Sequence, residues 1–444
     1  MSNSNNNAPS PAFYLLPFAL VCSLFFLWGI PNSMNGSLIR HFQFALDIQR
    51  WKAGLVDSAF YIGYFVMAIP AGIFMRKYGY KYGILAGLLL FAVGAMLFFP
   101  AGNVRLYAFF LFALFTIASG LAFLETAANL YVTVLGDPKR AEWRINFAQT
   151  FNGIAIILGP IIGARFIFSD KDTKMLAQTL QGDALLQARI EEAHSVQMPY
   201  LIIGLVLLAV ALIFWMTKMP EVGREEELAE GSVTIGSLFR RYRHLTLGVI
   251  AQFANVGAQA TLWGYFADFK LDFSPDKHVG AAVSYANMLF GTDPNTTLEK
   301  IANYHASFAM VLFLLGRVVG TTLMSKFEPR KVLSFYSVAA VVLVAVAFAT
   351  GGLTGIICIM LTYFCQSIMF PTIFALATKG LPPAESKLAS SLVIMAIVGG
   401  ALLPPIAGLL SQAGGMKMAL IVPFLCFVYV VYYVVKGFEV RKVV

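Results

Sequence analysis

The chain has 444 residues, of which 59% are hydrophobic and only 12% are charged. Soluble globular proteins carry charge on roughly 25% of their residues, so this composition excludes an ordinary soluble protein, and it also excludes disordered, collagen-like and disulfide-rich chains. The formal net charge is +9. In an apolar chain the positions of the basic residues are more informative than their sum, because these positions set the membrane orientation.

Twelve apolar runs predict twelve transmembrane helices, since each crossing needs about 20 mostly apolar residues. The first six runs lie near residues 12–31, 53–75, 82–100, 106–135, 145–168 and 198–217. The other six lie near residues 245–266, 303–323, 332–350, 353–377, 388–411 and 416–435. The sequence therefore predicts an all-α membrane protein with both termini on the same side of the lipid bilayer.

Basic residues are concentrated in the connections on the side of the termini, above all in the connection that contains Arg240, Arg241 and Arg243. Because Lys and Arg are enriched in cytoplasmic loops, both termini are predicted to be cytoplasmic, in a cytoplasmic (inner) membrane. This distribution accounts for the positive net charge without a nucleic-acid partner. Residues 1–10 contain no basic residue and precede a run too long for a signal peptide, so we expect no cleaved leader.

The charged connection 218–244 divides the chain into an N-terminal six-helix half, residues 1–217, and a C-terminal half, residues 245–444. Residues 159–163 (GPIIG) in span five have a counterpart at residues 404–408 (PPIAG) in span eleven. The short basic turn at residues 77–81 likewise has a counterpart at residues 326–330. Duplicated halves are typical of secondary transporters, whose binding site lies at mid-membrane between them.

Three of the charged residues within the predicted spans are candidates for a functional role. Glu125 lies well inside span four, where a carboxylate is costly unless it is protonated or paired, so we predict a site of proton or cation coupling. The structural alternative is a neutral glutamic acid hydrogen-bonded to a neighbouring helix. Asp57 lies about one turn into span two and is a second coupling candidate, although a hydrated acid is the alternative. Arg317 lies in the middle of span eight and is a candidate gate or charge partner.

Neutral amides recur at helical spacing beside two tryptophans. The set comprises Trp28, Asn32 and Asn35 in and after span one, Asn129 in span four, Gln149 and Asn152 in span five, and Gln252, Asn255, Gln259 and Trp263 in span seven. Spacings of three and four place each group on one helix face. Because an amide, like a sugar hydroxyl, both donates and accepts hydrogen bonds, these faces predict a cavity for a small neutral sugar. Hydrogen bonding between helices is the alternative interpretation.

The sequence offers no sign of an enzyme or of a metal site. Its four cysteines, Cys22, Cys358, Cys365 and Cys426, lie in apolar runs without a CxxC pair, and no HExxH motif occurs. We therefore expect no cofactor and no metal. A membrane receptor is a hypothesis from a different class, but no soluble signalling domain is apparent.

With these residues in view, the chain resembles the major facilitator superfamily and, within it, the L-fucose–proton symporter (fucose permease) family. The resemblance rests on residues 23–28 (SLFFLW), 58–65 (SAFYIGYF), 124–129 (LETAAN), 148–152 (AQTFN) and 370–375 (FPTIFA). It implies import of L-fucose or a related hexose by proton symport through alternating access, in a functional monomer. Glu125 would be the proton-linked acid, and the amides of spans five and seven would contribute to the sugar cavity.

One position departs from the family. An aspartate follows the second asparagine of span one in that family, whereas Gly36 follows Asn35 here. Asp57 is the candidate replacement for this acid, and a sodium-coupled hexose symporter is the alternative within the same class. An exporter of another neutral solute is the remaining alternative.

Overall fold

A computed structural model describes residues 11–48, 55–166, 179–220, 234–273 and 298–438, and all regular structure within these ranges is helical. The helices form twelve rods, α1 to α12. In the first half these are α1 (Pro11–Ala45), α2 (Leu55–Tyr78), α3 (Tyr80–Met96 and Phe98–Val104), α4 (Tyr107–Val134), α5 (Ala141–Phe166) and α6 (Gly182–Ser195 and Gln197–Met216).

The second half repeats this number of rods. They are α7 (Arg243–Gly264 and Phe266–Phe273), α8 (Leu298–Met324), α9 (Pro329–Thr350), α10 (Gly352–Gln366 and Met369–Ala377), α11 (Pro383–Met395 and Gly399–Gly414) and α12 (Met416–Ala419 and Ile421–Tyr432). Short helical turns at Pro138–Arg140 and Ile235–Arg241 lie outside the rods. In the part of the chain described, nine helical segments are long and apolar enough to cross a membrane, and two shorter apolar segments lie in α1 and α8.

The helices differ from the predicted spans mainly at their ends. Helix α1 continues to Ala45, beyond the apolar run that ends near residue 31, so the helix is longer than the span predicted from hydropathy. Hydropathy reports burial in lipid, while a helix continues wherever its backbone hydrogen bonds are preserved. The polar part of α1 packs on protein: its His41 pairs with Glu192 of α6 at 3.0 Å.

Helix contacts within the two halves follow the same scheme. Helix α1 packs on α5 as α7 packs on α11, α3 packs on α4 and α6 as α9 packs on α10 and α12, and α2 packs on α4 as α8 packs on α10. This correspondence supports the predicted duplication. The boundaries of the halves stay a prediction, because residues 221–233 of the predicted linker lie outside the described residues.

The duplication extends to two basic residues at one end of the bundle. Lys81 at the start of α3 donates to the carbonyls of Trp215 and Thr217 at the end of α6, at 2.6 and 2.9 Å. Arg330 at the start of α9 donates at 2.7 and 2.6 Å to the carbonyls of Val434 and Val435, in the π-helical turn that ends α12. Each cation thereby satisfies carbonyls that the helix end leaves free. We call this end of the bundle, where α1 begins and α12 ends, the terminal face.

Gly120 tests the tight packing of α4 against α3. A Cβ atom at this position would lie 2.5 Å from Phe91 N and 2.6 Å from the Gly87 carbonyl oxygen, both of them backbone atoms. We expect Gly120→Ala to lower the stability of the purified protein by roughly 1–3 kcal/mol, since the helices must separate. Thermal unfolding in detergent measures the effect. Gly236→Ala is the control, because no atom lies within 4 Å of a Cβ built at Gly236. Equal melting temperatures for the two variants would contradict the prediction.

Candidate functional site

Glu125 lies near the middle of α4 and is only 6% exposed. Its Oε1 accepts a hydrogen bond of 2.7 Å from the hydroxyl of Tyr64 on α2. Among the described residues no ion pair to Glu125 is present. The carboxyl group therefore stands in the bundle interior with a neutral partner, which is the setting expected of an acid that binds and releases a proton.

The amides beside Glu125 join three helices of the first half. Gln149 Nε2 of α5 donates to Asn129 Oδ1 of α4 at 3.2 Å, one turn along from Glu125. Asn152 Nδ2 donates to the Phe25 carbonyl of α1, also at 3.2 Å. The Phe25 ring lies 4.3 Å from the ring of the buried Trp28. The structure thus brings together five of the predicted site residues, Trp28, Glu125, Asn129, Gln149 and Asn152.

Arg317 links the two halves. Its guanidinium is 3% exposed and donates through Nη1 to the backbone carbonyl of Gln149 in α5. Its Nε donates to the carbonyl of Ser367 in α10 at 2.8 Å, and the group lies 4.6 Å from the centroid of the Phe313 ring. In the described part of the chain no carboxylate pairs with Arg317, and its identified partners are carbonyls and a ring.

The sequence explains why the Ser367 carbonyl is available. A helical carbonyl normally accepts from the backbone N–H four residues later, and the residue four positions after Ser367 is Pro371, which has no N–H. Helix α10 breaks here, between Gln366 and Met369. The proline thereby frees an acceptor inside the bundle that a buried cation can use.

Trp263 of α7 has an aromatic surround. Its ring meets Phe313 of α8 edge-on at 5.1 Å and stacks on Tyr363 of α10 at 5.5 Å with an interplanar angle of 20°. Phe313 also contacts Arg317, so a chain of contacts runs from Trp263 through Arg317 to Gln149 of the other half. Trp263 of the second half and Gln149 of the first half are therefore joined through the interior of the bundle.

Several neutral polar atoms of this region are buried without a hydrogen-bond partner among the described residues. They are Thr126 Oγ1, Asn129 Nδ2, both amide atoms of Gln252 and of Asn255, Trp263 Nε1, Thr321 Oγ1 and Gln366 Oε1. Gln252 and Asn255 are 0% exposed. An unpaired buried donor or acceptor costs roughly 1–3 kcal/mol, so these atoms are candidates for hydrogen bonds to a polar ligand.

The remaining predicted residues fall into two groups. Gln259 lies on α7 and is half-buried. Asn32 and Asn35 lie on α1 and Asp57 lies on α2, but their side chains are outside what the structure describes. The roles predicted for these three residues therefore stay predictions.

Sequence reasoning missed Tyr64, Tyr363, Gln366, Thr126 and Thr321. Hydropathy treats tyrosine and threonine as tolerable in a membrane span, so their hydroxyls produced no signal. Gln366 lies inside the apolar run 353–377, and the argument applied to the other intramembrane amides identifies it equally well. Only the fold shows that Tyr64 donates to Glu125, since the two residues lie on different helices.

Near the terminal face the two halves are held together by polar contacts of α5 with α10 and with Lys379, which follows the end of α10. Lys379 Nζ pairs with the buried Glu142 at 2.6 Å, and Asn146 Nδ2 donates to Thr372 Oγ1 at 3.0 Å. We call these four residues the interhalf latch. Beside it, Lys387 of α11, predicted to lie in a loop, is buried with its Nζ 4.4 Å from the centroid of the Tyr80 ring.

At the opposite face, polar contacts join helices within one half. Arg189 of α6 pairs with Asp47, just after α1, at 2.7 Å, and Asp272 of α7 accepts from the Met416 backbone N–H of α12 at 3.1 Å. The described contacts thus close the bundle at the terminal face, which separates the central region from that side of the membrane.

Comparison with known proteins agrees with this geometry. A sequence model of the Major Facilitator Superfamily matches residues 18–292. An L-fucose-proton symporter of Escherichia coli (strain K12) is 40% identical over 93% of this chain and 91% of its own length. A glucose/galactose transporter of Brucella abortus biovar 1 (strain 9-941) is 35% identical over 92% of this chain and 91% of its own length.

The crystal structure of the Major Facilitator Superfamily transporter FucP in the outward conformation matches with a TM-score of 0.80. The two sequences are 38% identical, and the match covers 95% of this chain and 98% of the other. The predicted twelve-helix fold is thereby confirmed.

The interhalf latch generates a prediction about access. Lys379→Met removes the cation that pairs with Glu142, so the halves should separate more often at the terminal face. The reporter is Ser391→Cys on α11, which faces Gly72 of α2, in a background without the four native cysteines. We expect N-ethylmaleimide to label this cysteine roughly 1.4- to fivefold faster, since a partly exposed ion pair contributes about 0.2–1 kcal/mol.

Lys331→Met is the matched control. It breaks the exposed ion pair between Lys331 of α9 and Glu328, the residue just before α9, whose charged atoms lie 3.8 Å apart. This pair lies within one half and does not join the two halves. Labelling at the same rate in the two methionine variants would refute a role of the Glu142–Lys379 pair in closure.

Proposed function

This chain belongs to the Major Facilitator Superfamily, and we propose that it is a secondary active transporter that imports a neutral sugar, L-fucose or a related hexose, together with protons. Transport proceeds by alternating access of one central site to the two sides of the membrane. The relatives named as an L-fucose-proton symporter and as a glucose/galactose transporter support this choice of substrate class and coupling ion.

The observation that carries the proposal is the set of unpartnered neutral polar atoms at the middle of the bundle. Gln252 and Asn255 each offer a donor and an acceptor, and Trp263 and Asn129 offer further donors. A hydroxyl of a sugar both donates and accepts, so it can pair with the donors as well as with the acceptors of this set. A charged amino acid or nucleotide would require fixed counter-charges, whereas these groups are neutral. The Trp263–Tyr363 stack offers an aromatic surface for the apolar face of the ring.

Glu125 is assigned the coupling role because it is buried beside this set. In the protonated form it is neutral and tolerates an occluded site, whereas the ionised form needs the Tyr64 hydroxyl or water as a donor. Proton binding and sugar binding therefore favour the same closed arrangement of the halves. Release follows when the interhalf latch opens and water reaches the carboxyl group.

The orientation follows from the basic residues. Lys81, Arg144 and Arg330 all lie at helix ends on the terminal face, and basic residues are enriched on the cytoplasmic side. We assign the terminal face to the cytoplasm, with both termini there and the protein in the inner membrane as a functional monomer. The latched arrangement then corresponds to the cytoplasmically closed state.

Uptake into reconstituted vesicles tests the substrate and the ion together. The purified protein is assayed with a panel of hexoses and deoxyhexoses, with pH and sodium gradients imposed separately. Accumulation of L-fucose or a related hexose driven by the pH gradient alone is expected. Accumulation that requires sodium would replace the proton in this account, and the absence of uptake of every sugar would refute it.

Glu125→Gln tests the coupling site. The amide keeps the size of the side chain and an acceptor for Tyr64 but cannot exchange a proton, so concentration of sugar against a gradient should be lost. Exchange of labelled for unlabelled sugar should persist, because it needs no net proton movement. Both are measured in vesicles. Glu328→Gln, which neutralises an exposed carboxylate, is the control, and normal accumulation by Glu125→Gln would contradict the assignment.

Asn255→Leu distinguishes a binding amide from a structural one. Because both amide atoms of Asn255 lack partners in the described residues, an apolar replacement of similar size should raise the melting temperature of the sugar-free protein. Sugar affinity should fall roughly tenfold or more, since about 1–3 kcal/mol is lost per unmade hydrogen bond. Unfolding with and without sugar measures both effects. A lower melting temperature with unchanged affinity would show that Asn255 serves packing alone.

A further inference from the structure

The outer surface of the bundle carries an apolar groove between α1 and α5. Its volume is about 540 Å³, and its lining includes Leu15, Phe18 and Phe26 of α1 and Trp143, Phe147 and Phe151 of α5. Leu15 is 68% exposed and Phe147 is 36% exposed, so the groove opens away from the central site. The sugar-transport proposal does not use it.

The length of the groove corresponds to one leaflet of a bilayer. Leu15 and Phe26 are eleven residues apart on a helix that rises 1.5 Å per residue, which separates them by roughly 16 Å along the axis. Half of the hydrocarbon core is about 15 Å thick. The groove therefore extends from the terminal face to about the middle of the membrane, as a lipid acyl chain does.

Rings make the α5 side of the groove rigid. Trp143 stacks on Phe147 at 5.2 Å with an interplanar angle of 18°, and Phe147 in turn lies 6.0 Å from the Phe18 ring of α1 at 22°. Because these side chains already contact one another, a molecule that enters the groove displaces solvent or disordered lipid without moving the rings that line it. Each buried methylene then contributes about 0.8 kcal/mol.

The end of the groove at the terminal face is positively charged. Lys139 and Arg140 are exposed and lie in the Pro138–Arg140 turn that leads directly into α5. Lys139, Trp143, Phe147 and Phe151 are spaced by four, so the cation continues the line of the aromatic side chains by one turn. Asp137 is also exposed, but its carboxylate accepts the Lys139 backbone N–H at 3.0 Å. A net positive charge therefore stands at headgroup depth.

From this combination we propose that the groove binds an anionic phospholipid, with one acyl chain between α1 and α5 and the phosphate beside Lys139 and Arg140. A zwitterionic lipid matches the apolar groove but not the two cations. Basic residues next to a membrane surface each contribute to the attraction of anionic lipids. The neighbouring face of the same helix carries Glu142 and Asn146 of the interhalf latch, so an occupied groove contacts α5 where the halves close.

Lipid retention tests the proposal without sugar or an ion gradient. The protein is purified from nanodiscs of phosphatidylglycerol and phosphatidylcholine with identical acyl chains, and the lipids retained are counted by native mass spectrometry. The unchanged chain should keep phosphatidylglycerol in preference to phosphatidylcholine. The double variant Lys139→Gln with Arg140→Gln should bind phosphatidylglycerol on the order of tenfold more weakly. Added glycerol phosphate should not displace the lipid, since the acyl chain supplies part of the affinity.

Two further variants complete the design. Lys218→Gln with Lys326→Gln removes two exposed basic residues elsewhere and should leave retention unchanged. Ser23→Trp fills the groove from α1, where the Ser23 hydroxyl donates to the Leu20 carbonyl of its own helix, and should abolish preferential retention although both cations remain. Equal retention of the two lipids, an equal loss in the Lys218 and Lys326 variant, or full retention by Ser23→Trp overturns the proposal.

Discussion

A hydrocarbon surround supplies no hydrogen-bond partners, and this constraint determines where the polar groups of the chain lie. Lys81 and Arg330 satisfy carbonyls at helix ends, and Arg317 satisfies a carbonyl that Pro371 leaves free. These groups are paired within the protein and hold its helices together. Gln252 and Asn255 are buried as deeply without partners in the described residues. The contrast separates residues that stabilise the fold from residues that we propose bind the sugar.

Much of the fold follows from the sequence, because hydropathy identifies spans and helical spacing identifies faces. Glu125, Gln149 and Asn152 were predicted as site residues and lie together in the bundle, since intramembrane polar residues rarely serve any other purpose than pairing or binding. The extension of α1 to Ala45 was not predicted, because its polar end packs on α6 rather than on lipid. Hydropathy identifies segments that contact lipid, and the polar end of α1 contacts protein instead.

Contacts between helices account for the rest of the difference. The bond from Tyr64 to Glu125 joins residues 61 positions apart, and the pair of Glu142 with Lys379 joins residues 237 apart. Local patterns carry no information about such pairs. Lys387 is a second example. It lies just before predicted span eleven and so counts as a loop lysine in the sequence, but in the fold it is buried against Tyr80. The break in α10 was not predicted from the sequence either. Once the fold is known, Pro371 explains why the Ser367 carbonyl at this break is free to accept from Arg317.

Helix α5 connects these elements physically. Gln149, seven residues after Glu142, lies roughly 10 Å further along the same helix, so one rigid rod carries an amide of the central site and an acid of the interhalf latch. Through the Gln149 carbonyl it also contacts Arg317 of the other half. A ligand that binds Gln149 therefore contacts the same helix, α5, that carries Glu142 of the interhalf latch. Coupling between the two places then needs no chain of small side-chain movements. A ligand shifts an equilibrium only by its differential affinity for the two states. In the proposed function, the amides that lack partners in the described residues are the groups through which sugar binding favours one arrangement of the halves over the other.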